Sequence, residues 1–244
     1  MVGKLLVRGM LAGIAAGLLT FGFARVAGEP QVDQAISFEE KLDAAKGEPP
    51  EPELVSRHTQ AGLGLFTGVM TFSAAVGGLF ALTFAYAYGR VRLPARPLSA
   101  WLALAAFVSL AIVPNIKYPA NPPSVGDPET IGYRTGLFFL MIAISIAVMV
   151  FSIKLRRAWV ERLGAWNASI AAGIVFIAII AVVQLALPSI NEVPSAFPAV
   201  VLWRFRAAAI GMQAILWTTI GLLFGALVER YERRQSAPRA AVLQ

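Results

Sequence analysis

Six runs of mostly apolar residues, at about 5–24, 61–88, 98–113, 136–153, 166–187 and 206–228, leave this chain few ways to fold. A stretch of about 20 apolar residues spans the hydrocarbon core of a bilayer. Backbone groups in lipid must be satisfied within the segment itself, so each run is expected to be a helix. The third run is the shortest, and reaches a full span by extending back towards Arg96 or by standing nearly upright. Only 14% of the 244 residues are charged, against about 25% in soluble domains. The expected fold is therefore an all-α integral membrane protein, a single polytopic domain over residues 1–244 with about six transmembrane helices.

Charge orients the helices. The N-terminus and the segments 89–97, 154–165 and 229–244 hold 13 of the 21 Lys and Arg, with only Glu161, Glu229 and Glu232 among them. The rest of the chain holds 8 Lys and Arg against 11 Asp and Glu. Basic residues that flank spans stay cytoplasmic, so both termini are expected inside. The net charge of +7 is thus a topology signal rather than a nucleic-acid footprint. The N-terminal stretch has Lys4 and Arg8 before an apolar core, as a signal peptide does. A cut after Ala27 would set Arg25 where a small residue is wanted, so it reads as a retained first span. Gly9, Gly13 and Gly17 recur every fourth residue along it, a smooth ridge for close helix packing.

The segments left outside, 25–60, 114–135 and 188–205, hold 12 of the 15 prolines. Proline removes a backbone donor and clashes with the preceding turn, so PNIKYPANPPSVGDPETIGYRT over 114–135 reads as an extended loop. In the first outer segment, residues 30–46 read as a helix lying on the membrane surface and stopping at Gly47, followed by an extended acidic linker. Each even-numbered span opens on an arginine: Arg57-His58-Thr59, Tyr133-Arg134-Thr135 and Arg204-Phe205-Arg206.

His58 is the one histidine, and the chain has no cysteine. Any metal site must then combine imidazole with oxygen ligands, and the companions available outside are Glu29, Asp33, Asp127, Glu129 and Glu192. Arg134, Arg204 and Arg206 either snorkel to headgroups or pair with Asp127, Glu129 or Glu192 and lock the outer loops over a vestibule. The span centres carry no Asp, Glu, Lys or Arg, whereas proton-relay pumps bury such groups. No metalloprotease, nucleophile-elbow or phosphate-loop motif is present. Neither an enzyme nor an ATPase is expected, and no firmly bound cofactor.

The stretches GEPQVDQAI, HTQAGLGLFTGVMTF, KYPANPPSVGDPETIG and NEVPSAFPAVVLWRF together resemble CbtA, a family of proposed cobalt transporter subunits, in order along nearly the whole chain. The resemblance implies a bacterial protein of the cytoplasmic (inner) membrane that imports cobalt for cobalamin synthesis. It also implies a small one-span partner with a histidine-rich tail. Co2+ would be the transported ion. That family is described with five spans, whereas six runs are counted here. Carried over by motif, Glu29 and Asp33 of GEPQVD, His58 of RHTQ, Asp127 and Glu129 of GDPET and Glu192 of NEVP become the ion ligands. The alternative is a non-transporting membrane scaffold that binds partner helices or an extracytoplasmic protein.

Overall fold

The computed structural model describes residues 2–47, 54–123 and 125–241. The chain is 86% helical, with no strand among the described residues. The elements are α1 (Val2–Phe23), α2 (Glu29–Lys46), α3 (Arg57–Thr59), α4 (Leu65–Ala87), α5 (Ala95–Ala106), α6 (Val113–Lys117), α7 (Ile131–Ala186) and α8 (Ala199–Ala241). Widened π turns join several of them, so that among the described residues five continuous helices are long and apolar enough to cross a membrane.

The fourth and fifth apolar runs share one of these, the 56-residue α7. It is broken at Gly164, where φ is 75° and ψ is 164°, a conformation that glycine adopts without steric cost. Leu137 and Met141 before the break and Ile180 after it lie in one buried cluster with Val113 and Tyr118. The two arms therefore lie side by side. Arg156 Nε donates to Ser169 Oγ at 2.8 Å across the turn. The polar segment 154–165, which separates two apolar runs in the sequence, is helical up to the single residue that breaks it.

Pro114 does not end its helix, although α7 stops at Ala186 just before Pro188. The third run is neither short nor stopped by Pro114: it is the 23-residue helix Ala95–Lys117, with a π stretch at Phe107–Ile112 just before that proline. Pro114 cannot donate to the carbonyl four residues back, and its ring crowds the preceding turn. A widened turn absorbs both defects. Carbonyls on either side of the proline also accept from side chains: Asn115 Nδ2 donates to Ala111 O at 2.9 Å and Gln184 Nε2 to Val113 O at 3.2 Å. The same device recurs before Pro30. A π turn at Ala24–Gly28 carries α1 directly into α2, so the helix expected to lie apart on the membrane surface is a continuation of the first span. It stops at Gly47, which takes φ 76° and returns its N–H to Ala44 O at 3.2 Å. The acidic linker over 48–53 lies outside the described residues. At the other end, α8 begins at Ala199, which places Arg204 and Arg206 within a helix rather than at its border.

The chain divides into two compact units, Met1–Ala106 with Ala199–Gln244, and Phe107–Pro198. The first is built on two seams of small residues. On α1, Gly9 and Gly13 press against the backbone of α4: a methyl added at Gly9 would overlap the Gly77 carbonyl, and one at Gly13 the Ser73 carbonyl. Gly17 continues the ridge against Met70 and Ser73. On α8, Gly221 and Gly225 meet Ala103 and Ser99 of α5, and Ser99 Oγ donates to Gly221 O at 2.6 Å. Between the seams, Phe80 and Phe84 of α4 pack edge-on against Phe224 of α8. Long side chains such as Leu19, Leu79, Trp101 and Leu222 point outward. Small residues inside and large apolar ones outside is the arrangement that packs helices in lipid, where dispersion rather than water expulsion drives association.

The second unit packs its apolar cluster between α6 and the two arms of α7, with Phe138, Phe176 and Val183 around it. Above that cluster Tyr118 and Asp127 of the proline-rich segment bond to Pro188 and Glu192 after α7.

Candidate functional site

Each unit carries one knot of carboxylates, closed by an arginine at the start of a helix. In the first unit, Glu29 opens α2 and Asp33 follows one turn later, so both share a face. Ser56 caps the next helix, its hydroxyl accepting from the Thr59 N–H at 3.4 Å. That cap sets Arg57 over the two acids. Its Nε donates to Asp33 Oδ1 at 2.9 Å, and its Nη2 meets Glu29 Oε2 in a close ion pair. Glu29 is only 8% exposed and Gln31 beside it 7%, so the guanidinium compensates a carboxylate that would otherwise be buried alone. His58, the next residue, is exposed.

In the second unit, Glu192 is held from three directions. It accepts from Thr130 Oγ1 at 2.7 Å and from the Asp127 N–H at 3.0 Å, and it faces Arg134 Nε at 3.2 Å. Arg134 Nη2 also donates to the Asp127 carbonyl at 3.1 Å. Asp127 turns its own carboxylate to the Glu129 N–H at 2.9 Å. Gly126, at φ 123°, lets the loop pass close to the Arg134 guanidinium, which a side chain at 126 would strike. Lower in the loop, Tyr118 Oη donates to Pro188 O at 2.9 Å and Lys117 Nζ lies 3.1 Å from Ser189 Oγ. The loops on the two sides of α7 are thus tied by hydrogen bonds from end to end.

The Thr130 hydroxyl, then the Asp127 amide and the Arg134 charge, hold the Glu192 carboxyl below its ordinary value of 4.5. A depressed carboxylate contributes stability that is complete above the ordinary value and disappears as pH falls through the lowered one. Thermal unfolding of the wild type should therefore lose part of its stability on acidification below pH 4.5. Glu192→Gln should show a shallower acid slope, and an unchanged slope would mean that the three contacts do not form.

The sequence-derived ligands are placed as follows. The Glu29 and Asp33 carboxylates come together, whereas Asp127 and Glu129 enter the second knot through backbone groups and only the Glu192 carboxylate faces Arg134. His58 stands beside Arg57 but outside its ion pairs. Among the described residues no group of three His, Cys, Asp or Glu side chains is gathered that could hold a metal ion. Arg134 closes the second knot, while Arg204 is exposed and Arg206 half-buried on α8. Gly9, Gly13 and Gly17 lie in the α1–α4 seam. Arg57 and Thr130 were not among the candidates. Arg57 carried a signal nonetheless, as the first of the arginines that open the even-numbered spans.

A further charged cluster, apart from the two knots, sits where α4, α5 and α8 meet. Arg96 and Arg233 both pair with Glu229, the latter at 2.8 Å, and Tyr88 Oη donates to Glu232. It ties α8 to the turn between α4 and α5 and holds no unpaired carboxylate pair of the kind a cation needs.

No curated protein and no solved structure gives a significant match to the chain. A family comparison matches residues 2–229, nearly the whole length, so the chain belongs to the CbtA family of probable cobalt transporter subunits.

Proposed function

We propose that this chain is the membrane component of a cobalt uptake system feeding cobalamin synthesis, and that its two arginine-closed knots are where the ion is captured. The observation that carries the reading is the pairing of Glu29 and Asp33 under Arg57. Two carboxylates one turn apart form a hard-oxygen site for a divalent cation as soon as the guanidinium moves aside. Arg57 then acts as a resident surrogate cation, which keeps a buried carboxylate from standing alone while the site is empty. His58 supplies the imidazole within the same helical turn, and Arg134 guards Glu192, Asp127 and Glu129 in the second unit in the same way. A site of imidazole and oxygen ligands without sulfur takes Co2+ or Ni2+ by geometry and availability, since raw affinity favours copper. Orientation follows the basic excess, with the knots outside and both termini in the cytoplasm of a bacterial inner membrane. The membrane potential supplies roughly 2.3 kcal/mol per charge per 100 mV, and a small one-span partner with a histidine-rich tail takes the ion onward.

The alternative is a scaffold role. What favours it is the absence of charged residues at the span centres; what weighs against it is that the Gly9–Gly13–Gly17 ridge is filled by α4 and is not offered to a partner helix. Radiocobalt uptake by cells and by proteoliposomes, with and without the one-span partner, separates the two. Under the transport reading His58→Ala, Asp33→Asn and Glu192→Gln each lower uptake at least about tenfold, in line with the loss of a metal ligand or its direct support. Wild-type uptake by all three variants would remove the knots from the transport path.

A further inference from the structure

Among the described residues, Lys46, Arg57, Arg96, Arg134 and Arg233 each meet a carboxylate. Lys4, Arg8, Arg230 and Arg234 form no ion pair with any carboxylate among the described residues, yet all four line one groove between α1 and α8. The groove has a volume of about 670 Å³. Tyr231 forms its centre. The Arg8 guanidinium lies over the Tyr231 ring at 3.9 Å and Lys4 Nζ at 5.5 Å, and Arg8 Nη1 also donates to Lys4 O at 2.6 Å. Arg8 is thus positioned by the ring and by its own helix rather than by an acid.

The groove is graded along its length. From Lys4, α1 reaches Leu11 two turns on, and from Arg234, α8 reaches Leu227 two turns back. Cations therefore gather at one end and aliphatic side chains at the other. This matches the order of chemical groups along a phospholipid, phosphate first and acyl chain after.

We infer that this groove is a binding site for an anionic phospholipid, with its phosphodiester among Lys4, Arg8, Arg230 and Arg234 and an acyl chain along Leu11 and Leu227. Four cations crowded without a counter-charge repel one another, and a phosphate oxygen set accepts hydrogen bonds from several guanidinium groups at once. Basic pockets between membrane helices on the cytoplasmic side hold acidic headgroups in this way. A free phosphate would satisfy the cations but leave the aliphatic half of the groove unfilled, which favours the lipid.

The full-length protein in neutral detergent micelles provides the test, titrated with phosphatidylglycerol or cardiolipin, with phosphatidylcholine, and with inorganic phosphate. Thermal unfolding and native mass spectrometry read the binding. The anionic lipids should raise Tm and remain bound in the gas phase, whereas phosphatidylcholine and inorganic phosphate should do neither. Removal of one cation by Lys4→Gln should weaken lipid binding about fivefold, and Arg8→Gln with Arg230→Gln should weaken it by more than about tenfold. Arg90→Gln, which removes a cation stacked on Tyr86 elsewhere in the same unit, should leave binding unchanged. Lys4 is exposed, so its variant remains informative if the double variant does not fold. Equal binding of phosphatidylcholine, stabilisation by phosphate alone, or unchanged lipid affinity in Lys4→Gln would each overturn the assignment.

Discussion

Gly13→Ala should leave little stably folded protein in detergent, although it adds a single methyl group. The atom that the methyl meets is the backbone carbonyl of Ser73, which cannot rotate away as a side chain can. The α1 and α4 helices must separate, and every contact along the seam loosens with them, including that of Gly77 with the Gly9 carbonyl. Overpacking of a tight interior costs about 1–3 kcal/mol or more, a large share of a marginal stability. Gly68→Ala, on the same α4 helix, is the control, because nothing lies within 4 Å of its added methyl. It should be neutral or stabilising by up to about 1 kcal/mol, as alanine favours helix over glycine. Size-exclusion profiles and thermal unfolding check both. If Gly13→Ala unfolds at the wild-type temperature, the helices are not in backbone contact at this point.

Arg57→Gln should have the second large effect, and its sign should depend on metal. Without metal, Glu29 is left buried with no partner. Loss of one member of a buried pair costs about 3–5 kcal/mol, and the partial exposure of the Arg57 side chain, at 27%, brings the expected loss nearer about 2 kcal/mol. Glu29→Gln added to Arg57→Gln should recover much of it, because the lone charge is gone. With Co2+ present the carboxylate pair is open to the cation, so Arg57→Gln should gain more thermal stability from metal than the wild type does. Unfolding curves with and without Co2+ on the two variants decide this. Absence of any metal-dependent gain in Arg57→Gln would show that these two carboxylates do not take a cation even when unguarded.

The two arginine knots explain why the candidate site was only half legible in the sequence. The acids announce themselves as polar residues in proline-rich segments, and the arginines as the openings of alternate spans. Which acid meets which arginine is not a local property. Arg57 reaches back 24 residues to Asp33 and 28 to Glu29, and Thr130 reaches forward 62 to Glu192. No periodicity extends over such separations, and an isolated histidine draws attention that the structure gives to its neighbour.

Hydropathy alone determined the class of fold and the position of every apolar segment, because the absence of water in lipid forces each long apolar run into a helix. The every-fourth-residue glycines marked a packing face for the same local reason. The helix ends were decided by tertiary structure. Pro114 read as a stop and Pro30 as a first-turn residue of a separate helix, yet in both places the helix runs on, since a π turn makes room, and Asn115 and Gln184 donate to the Ala111 and Val113 carbonyls beside Pro114. Gly164 alone, rather than a twelve-residue polar loop, turns α7 back on itself. Local sequence states what a backbone prefers; only the neighbouring helix supplies the donor that lets it do otherwise.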